Sequence, residues 1–123
     1  MRLRRFLESG GFIYADDDYG MDTAFRRELG RILTEGVLQE LPYSHSIYHC
    51  FYDFPSGPPK IHEHQEGRPV GYGAFLRGRL AVYYTFNTNI SDGWVATYND
   101  PPEVREQAFR MGVNILWHAM TNP

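Results

Sequence analysis

Long apolar runs are missing from this sequence. Nothing approaches the roughly 18–20 consecutive apolar residues of a membrane helix. The opening Met1-Arg2-Leu3-Arg4-Arg5-Phe6-Leu7-Glu8 meets an acid before a signal-peptide core can form. As written, the chain reads as cytoplasmic, with neither an export signal nor membrane contact. Cysteine is nearly absent: Cys50 stands alone, so no internal disulfide is available and no oxidising compartment is indicated. Lysine is as scarce, Lys60 against eleven arginines, and twelve bases against fifteen acids leave a net charge of −3. No global footprint for nucleic acid or anionic lipid results, and neither is expected as a partner. What is present is a 123-residue chain, 42% hydrophobic and 22% charged, enough for one domain with one core and far from the composition of disorder.

Hydrophobic spacing divides the chain into short elements. Leu3, Phe6 and Leu7 fall at helical spacing, and Gly10-Gly11 suit a left-handed helix end. Phe12-Ile13-Tyr14-Ala15 reads as a buried strand running into Asp16-Asp17-Asp18. A second helix follows, capped by Asp22 or Thr23, with Phe25, Leu29, Ile32 and Leu33 on one face and Gly36 beyond its end. Leu38 to Leu41 is a short strand candidate. Residues 42–71 carry five prolines and the aromatics Tyr43, Tyr48, Phe51, Tyr52 and Phe54, which predicts an ordered loop packed over the domain as a lid. Tyr72 to Leu76 and Leu80 to Phe86 read as strands joined by a turn at Arg77-Gly78-Arg79. The last helix begins near Pro101 with Asp100 as its cap. Val104, Ala108, Met111, Ile115 and Ala119 form its apolar stripe, joined late by Val113, Leu116, Trp117 and Met120, while Gln107, Arg110, Asn114 and His118 line the opposite face. Its second half is expected to be mostly buried.

Several groups are candidates for chemistry. Three adjacent acids, Asp16, Asp17 and Asp18, repel one another unless water, a cation or helix N–H groups relieve them; the plain alternative is a solvated turn before a helix. His62 and His64 stand one residue apart, so in extended chain both face one side and could share a divalent metal with Asp17 and Asp18. Further ligands would come from Asp16, His45 or His49, and hydrogen-bonded loop histidines are the alternative. Cys50 beside His49 admits a thiolate reading against that of a buried structural thiol, which its apolar context favours. Asn87, Asn89, Asp92 and Trp94 fall between a strand and the last helix, where they form either a binding crevice or a turn.

The segments Gly10 to Gly20, His45 to Asp53 and Lys60 to His64, with Asp92-Gly93-Trp94 and Gly112 to Ile115, together resemble the bacterial domain-of-unknown-function family 4159, a branch of the glutamine-amidotransferase-like, flavodoxin-like folds. The resemblance covers nearly the whole chain and implies a three-layer α/β domain, a parallel sheet with flanking helices that lacks its first strands. The family domain is longer than this chain, which resembles its C-terminal portion, so the open sheet edge implies either a truncated gene model or a chain completed by self-association or by a partner chain. The resemblance also implies a ligand site at the turn from strand to helix, Asp16, Asp17, Asp18 and Tyr19, facing Asn87, Asn89, Asp92 and Trp94. In the amidotransferases that turn holds a cysteine nucleophile, with a histidine after a later strand. Here aspartates stand at the turn and Asn87-Thr88-Asn89 follow the strand, so a Cys-His-Glu triad is not expected. Two functions follow: a non-catalytic ligand-binding or interaction module, or a metal-dependent hydrolase using the Asp/His cluster with Glu63 as base. Family members can be exported or membrane-tethered, which leaves the compartment open.

Overall fold

The computed structural model describes residues 2–17, 20–33, 38–61 and 67–121. The elements run α1 (Arg2–Glu8), β1 (Ile13–Asp17), α2 (Asp22–Ile32), β2 (Gln39–Glu40), β3 (Val70–Leu76), β4 (Arg79–Phe86) and α3 (Pro102–Thr121), with single 3₁₀ turns at Ser46–Tyr48, Ile90–Trp94 and Ala96–Tyr98.

The strands form one four-stranded sheet in the order β1-β4-β3-β2. The sheet is mixed: the hairpin expected at Arg77-Gly78-Arg79 is present, and the parallel pairing that the resemblance implies holds between β1 and β4. β1 lies parallel to β4, and β4, β3 and β2 are antiparallel neighbours. The cause is local: Arg77 and Gly78 take φ of 54° and 78°, the doubly left-handed turn that reverses a chain in two residues and pairs Leu76 with Arg79. One residue of β4 is then extra. Ala74 pairs with Val82 but Phe75 with Leu80, so Ala81 bulges. The bulge sends Leu80 to one face and both Ala81 and Val82 to the other, filling both layers from one strand.

Leu7 of α1, Leu29 of α2 and Leu33 just past its end pack on Ala74, Leu76, Ala81 and Val82. On the opposite face Ala108, Met111 and Ile115 of α3, with Ile47, Tyr48, Phe54 and Ile61 of the long loop, cover Leu80, Tyr83 and Ile90. This is a three-layer α/β arrangement consistent with a flavodoxin-like fold. Gly71 makes the second layer possible, because a Cβ there would stand 2.1 Å from the Tyr48 hydroxyl, which accepts a 3.0 Å bond from Tyr83.

Two helix starts differ from expectation by one residue each. Asp100 is not the cap of α3: the Val104 and Arg105 N–H groups both reach the Pro101 carbonyl, so Pro101 caps and Pro102 opens the helix. α2 begins at Asp22 after Met21, with no side-chain cap, because the Asp22 carboxylate is engaged by Arg26 and Tyr84. Gly36 lies outside the described residues.

The expected stripe of α3 is the buried one, with Ala108, Met111 and Ile115 in the core; the largest difference is how burial extends around the helix from there. Asn114 and His118, expected on the polar face, are buried, whereas Val113, Leu116, Trp117 and Met120 are exposed, Leu116 by 61% and Met120 by 66%. Asn114 is buried beside that stripe because its polar groups are satisfied there. Its Nδ2 donates to the carbonyls of Ile47 and Tyr52, both at 2.9 Å, and its Oδ1 accepts from the Tyr52 N–H at 2.8 Å. Three backbone groups of the long loop thus hold this side chain inside, next to the apolar stripe.

His118 sits beside this clamp, 5.6 Å from the His45 ring. Burial, then the nearby His45, pushes its pKa below the ordinary 6.5, and burial does the same for His45, whose Nδ1 accepts the Ile47 N–H. Below 6.5 the unfolded chain therefore binds more protons at these positions than the folded one. Stability should be fully present above that pH and decline on acidification through the region below it. Thermal melts across that range should show a shallower decline for His118→Gln; an unchanged profile would contradict the assignment.

Candidate functional site

The carboxyl ends of β1 and β4 meet above α3, and Asp16 organises them. Its Oδ1 accepts from the hydroxyls of Thr85 at 2.8 Å and Thr88 at 3.0 Å, its Oδ2 from the N–H of Ser91 at 2.8 Å and its hydroxyl at 2.7 Å. Because Thr85 gives its proton to Asp16, the Tyr14 hydroxyl, 2.7 Å away, is the donor to Thr85. Burial, then the Asp16 charge, raises the Tyr14 pKa well above its ordinary value, which keeps this donor protonated. Both carboxylate oxygens of Asp16 are thus occupied by groups of the protein itself.

Asp17 points to the other face, as strand alternation requires. It is 3% exposed, and its Oδ1 accepts the Met21 N–H at 3.2 Å. Burial raises its pKa, opposed by that hydrogen bond and reinforced by the charge of Asp22. Asp22 in turn accepts from Arg26 Nε at 3.0 and 3.1 Å and from the Tyr84 hydroxyl at 2.8 Å. A hollow of about 230 Å³ opens here between Asp17, Gly20, Asp22, Thr23 and Phe86. Asp18, Tyr19, His62 and His64 lie outside the described residues, so Asp17 alone of the expected metal set is placed. Among the described residues no three His, Cys, Asp or Glu side chains converge as a metal site.

Asn87, Asn89, Asp92 and Trp94 follow one another along the chain leaving β4, interleaved with Thr88 and Ser91, whose side chains bond Asp16. Asn87 and Asn89 adopt φ of 63° and 56°, the left-handed conformation that asparagine tolerates best after glycine. Asn87 Nδ2 donates to Gly67 O at 2.9 Å, and the Asn89 carbonyl accepts the Asp92 N–H at 3.1 Å. Asn87, Asn89 and Asp92 are all buried. Trp94 Nε1 donates to the Ala108 carbonyl at 2.8 Å, with its indole over Gly112, where a Cβ would come within 3.1 Å.

Histidine and cysteine chemistry separates in space. His49 places Nδ1 against Asp53 and Nε2 2.8 Å from the Tyr43 carbonyl, two acceptors that raise its pKa, the Asp53 bond foremost. Cys50, its neighbour, donates through Sγ to the Asn114 carbonyl at 3.3 Å, and burial pushes its thiol up, away from thiolate chemistry.

The feature that sequence reasoning missed is apolar. Phe12 and Tyr14 of β1, Trp94, and Phe109, Gly112, Val113, Ile115, Leu116 and Ala119 of α3 enclose a groove of about 560 Å³. It runs along β1, which has β4 on one side and no strand on the other among the described residues. Tyr14 links the two halves of the site: its ring walls the groove, 6.1 Å from that of Trp94, and its hydroxyl enters the Asp16 network. The signal was in the sequence, since the second half of α3 is apolar nearly all round, but that pattern read as burial within the domain.

The model of the family described as Domain of unknown function (DUF4159) matches residues 1–120. No match was found among curated proteins.

Proposed function

From the premise that the chain belongs to the DUF4159 family, which is defined by a domain and not by an activity, we propose that it is a non-catalytic interaction module. On this reading it is an amidotransferase-like domain without the Cys-His-Glu triad, and the groove between β1 and α3 is its recognition surface. One observation carries the reading. A groove of about 560 Å³ is walled by aromatic and aliphatic side chains, directly beneath strand ends whose carboxylate is engaged by four hydrogen bonds from the protein itself. Apolar pockets with a few fixed polar groups are where ligands and partner segments bind. The only cysteine is half-buried, against α3 and not at the end of β1, and donates a hydrogen bond.

An apolar probe tests this. At sub-micromolar protein, 8-anilinonaphthalene-1-sulfonate should fluoresce in the groove, and Val113→Glu, at a position 39% exposed, should reduce that signal severalfold with the circular dichroism unchanged. Equal fluorescence from both proteins would refute the groove as the binding surface. Near-stoichiometric zinc, manganese or iron that disappears on changing His62 and His64 to Ala would instead favour the metal-dependent hydrolase.

A further inference from the structure

The occupant of the groove follows from the residues that build it. Phe109, Val113, Leu116 and Met120 succeed one another at spacings of four, three and four, the alternation that packs one helix along another. All four are exposed, Phe109 by 44% and Met120 by 66%. Three of them, Phe109, Val113 and Leu116, are also walls of the groove. One face of α3 is therefore both the ridge to be inserted and part of the hollow that receives a ridge.

Resting on the interaction reading above, we propose that a second copy of this chain fills the groove. The two α3 helices lie side by side about a two-fold axis, each placing Leu116 and Met120 against the other's Phe12, Tyr14 and Trp94. A two-fold contact uses the same patch on both partners, and a surface that is ridge and hollow at once meets that condition. The area also suffices. With residues of this size burying roughly 150–250 Å² each, the exposed parts of Phe109, Val113, Leu116, Trp117 and Met120 amount to about 500 Å² per copy. A pair buries about 1,000 Å² from α3 alone, the lower limit of a specific interface, and the groove walls add to it. The outer face of the stripe carries both signs, Glu106 and Arg110 joined at 3.0 Å, so no like-charge field opposes the pairing.

Sedimentation equilibrium of the full chain, from about 1 to about 200 µM, reads this directly. The mass should rise from 14.3 kDa toward twice that value with a dissociation constant on the order of 10 µM. Leu116→Glu places two carboxylates, one from each copy, in the contact and should weaken the dimer at least about 100-fold, leaving the circular dichroism and the urea midpoint in place. Met120→Lys, at the far end of the stripe, repeats the test should Leu116→Glu fail to fold. As the dimer forms, apolar-probe fluorescence per chain should fall, because the second copy displaces the dye. A monomer at every concentration, or a dimer indifferent to both substitutions, overturns self-pairing. If that monomer still binds the dye and loses it in Val113→Glu, the groove stands as a surface for another protein or ligand; if it binds no dye, the interaction reading falls as well.

Discussion

Asn114→Leu is expected to lower stability by about 3–5 kcal/mol, a large share of the 5–15 kcal/mol typical of one domain. The side chain is buried and makes three hydrogen bonds, at 2.8, 2.9 and 2.9 Å, all to backbone of residues 47–52. Leucine fits the volume but leaves two carbonyls and one N–H without partners, each costing about 1–3 kcal/mol in a site that water enters poorly. Asn114→Asp keeps the acceptor and loses both donors while adding a charge, so it should be no better above the pKa of the new carboxyl. Urea midpoints measure the loss. Cys50 gives a second reading, because its thiol donates to the Asn114 carbonyl and the same loop covers it. As the loop lifts, Cys50 should react with a thiol reagent at least about tenfold faster through local opening. Unchanged midpoint and reactivity would mean that the loop is held by its aromatic contacts alone.

Asn114 also marks where the sequence stopped being informative. Turns and short strands depend on neighbours in the chain, and those were legible: the reversal at Arg77-Gly78, the strand into Asp16, and the stripe of Phe25 and Leu29 on α2 all fall where spacing and glycine put them. How burial extends around α3 depends on residues far away. The stripe of Ala108, Met111 and Ile115 faces inward as its spacing says, but from Met111 onward apolar side chains stand on most sides, and three loop groups 62 and 67 positions distant bring Asn114 inside beside it. The antiparallel half of the sheet was legible for the opposite reason, since whether a strand lies parallel or antiparallel is set by its connection, and the two-residue turn at Arg77-Gly78 is local. In the candidate site, the position of Asn87, Asn89, Asp92 and Trp94 in the chain between β4 and α3 was legible. The hydroxyls that hold Asp16 were not: Thr85, Thr88 and Ser91 lie 69, 72 and 75 positions away and carry no motif. The groove was hidden for a further reason: apolar residues spell burial in a sequence but do not name the molecule that buries them.

Asp16→Ala should cost about 3–4 kcal/mol, since it removes the acceptor of four hydrogen bonds and leaves three hydroxyls and an N–H to find others. Asp16→Asn should cost less, about 1–2 kcal/mol. Its amide can turn its oxygen to Ser91 and its Nδ2 to the threonines, but Thr85 must then accept where it donated, and Tyr14 loses its fixed partner. The order and sign of these changes separate two roles for one carboxylate. A residue kept for binding or catalysis sits in an environment that does not favour it, and its removal commonly leaves the fold as stable or more stable. A residue kept as a clamp does the reverse. Stability falling from Asp to Asn to Ala places Asp16 in the frame of the site, with Thr85, Thr88 and Ser91; a rise on either substitution places it among the groups that meet a ligand. The groove supplies the second measurement. Ser91 lies in the turn that ends at Trp94, so releasing it from Asp16 lets the indole leave its place over Gly112. Weakened binding of the apolar probe in Asp16→Ala, with Trp94 fluorescence shifted to the red, would show that the polar end of the site holds its apolar wall in position.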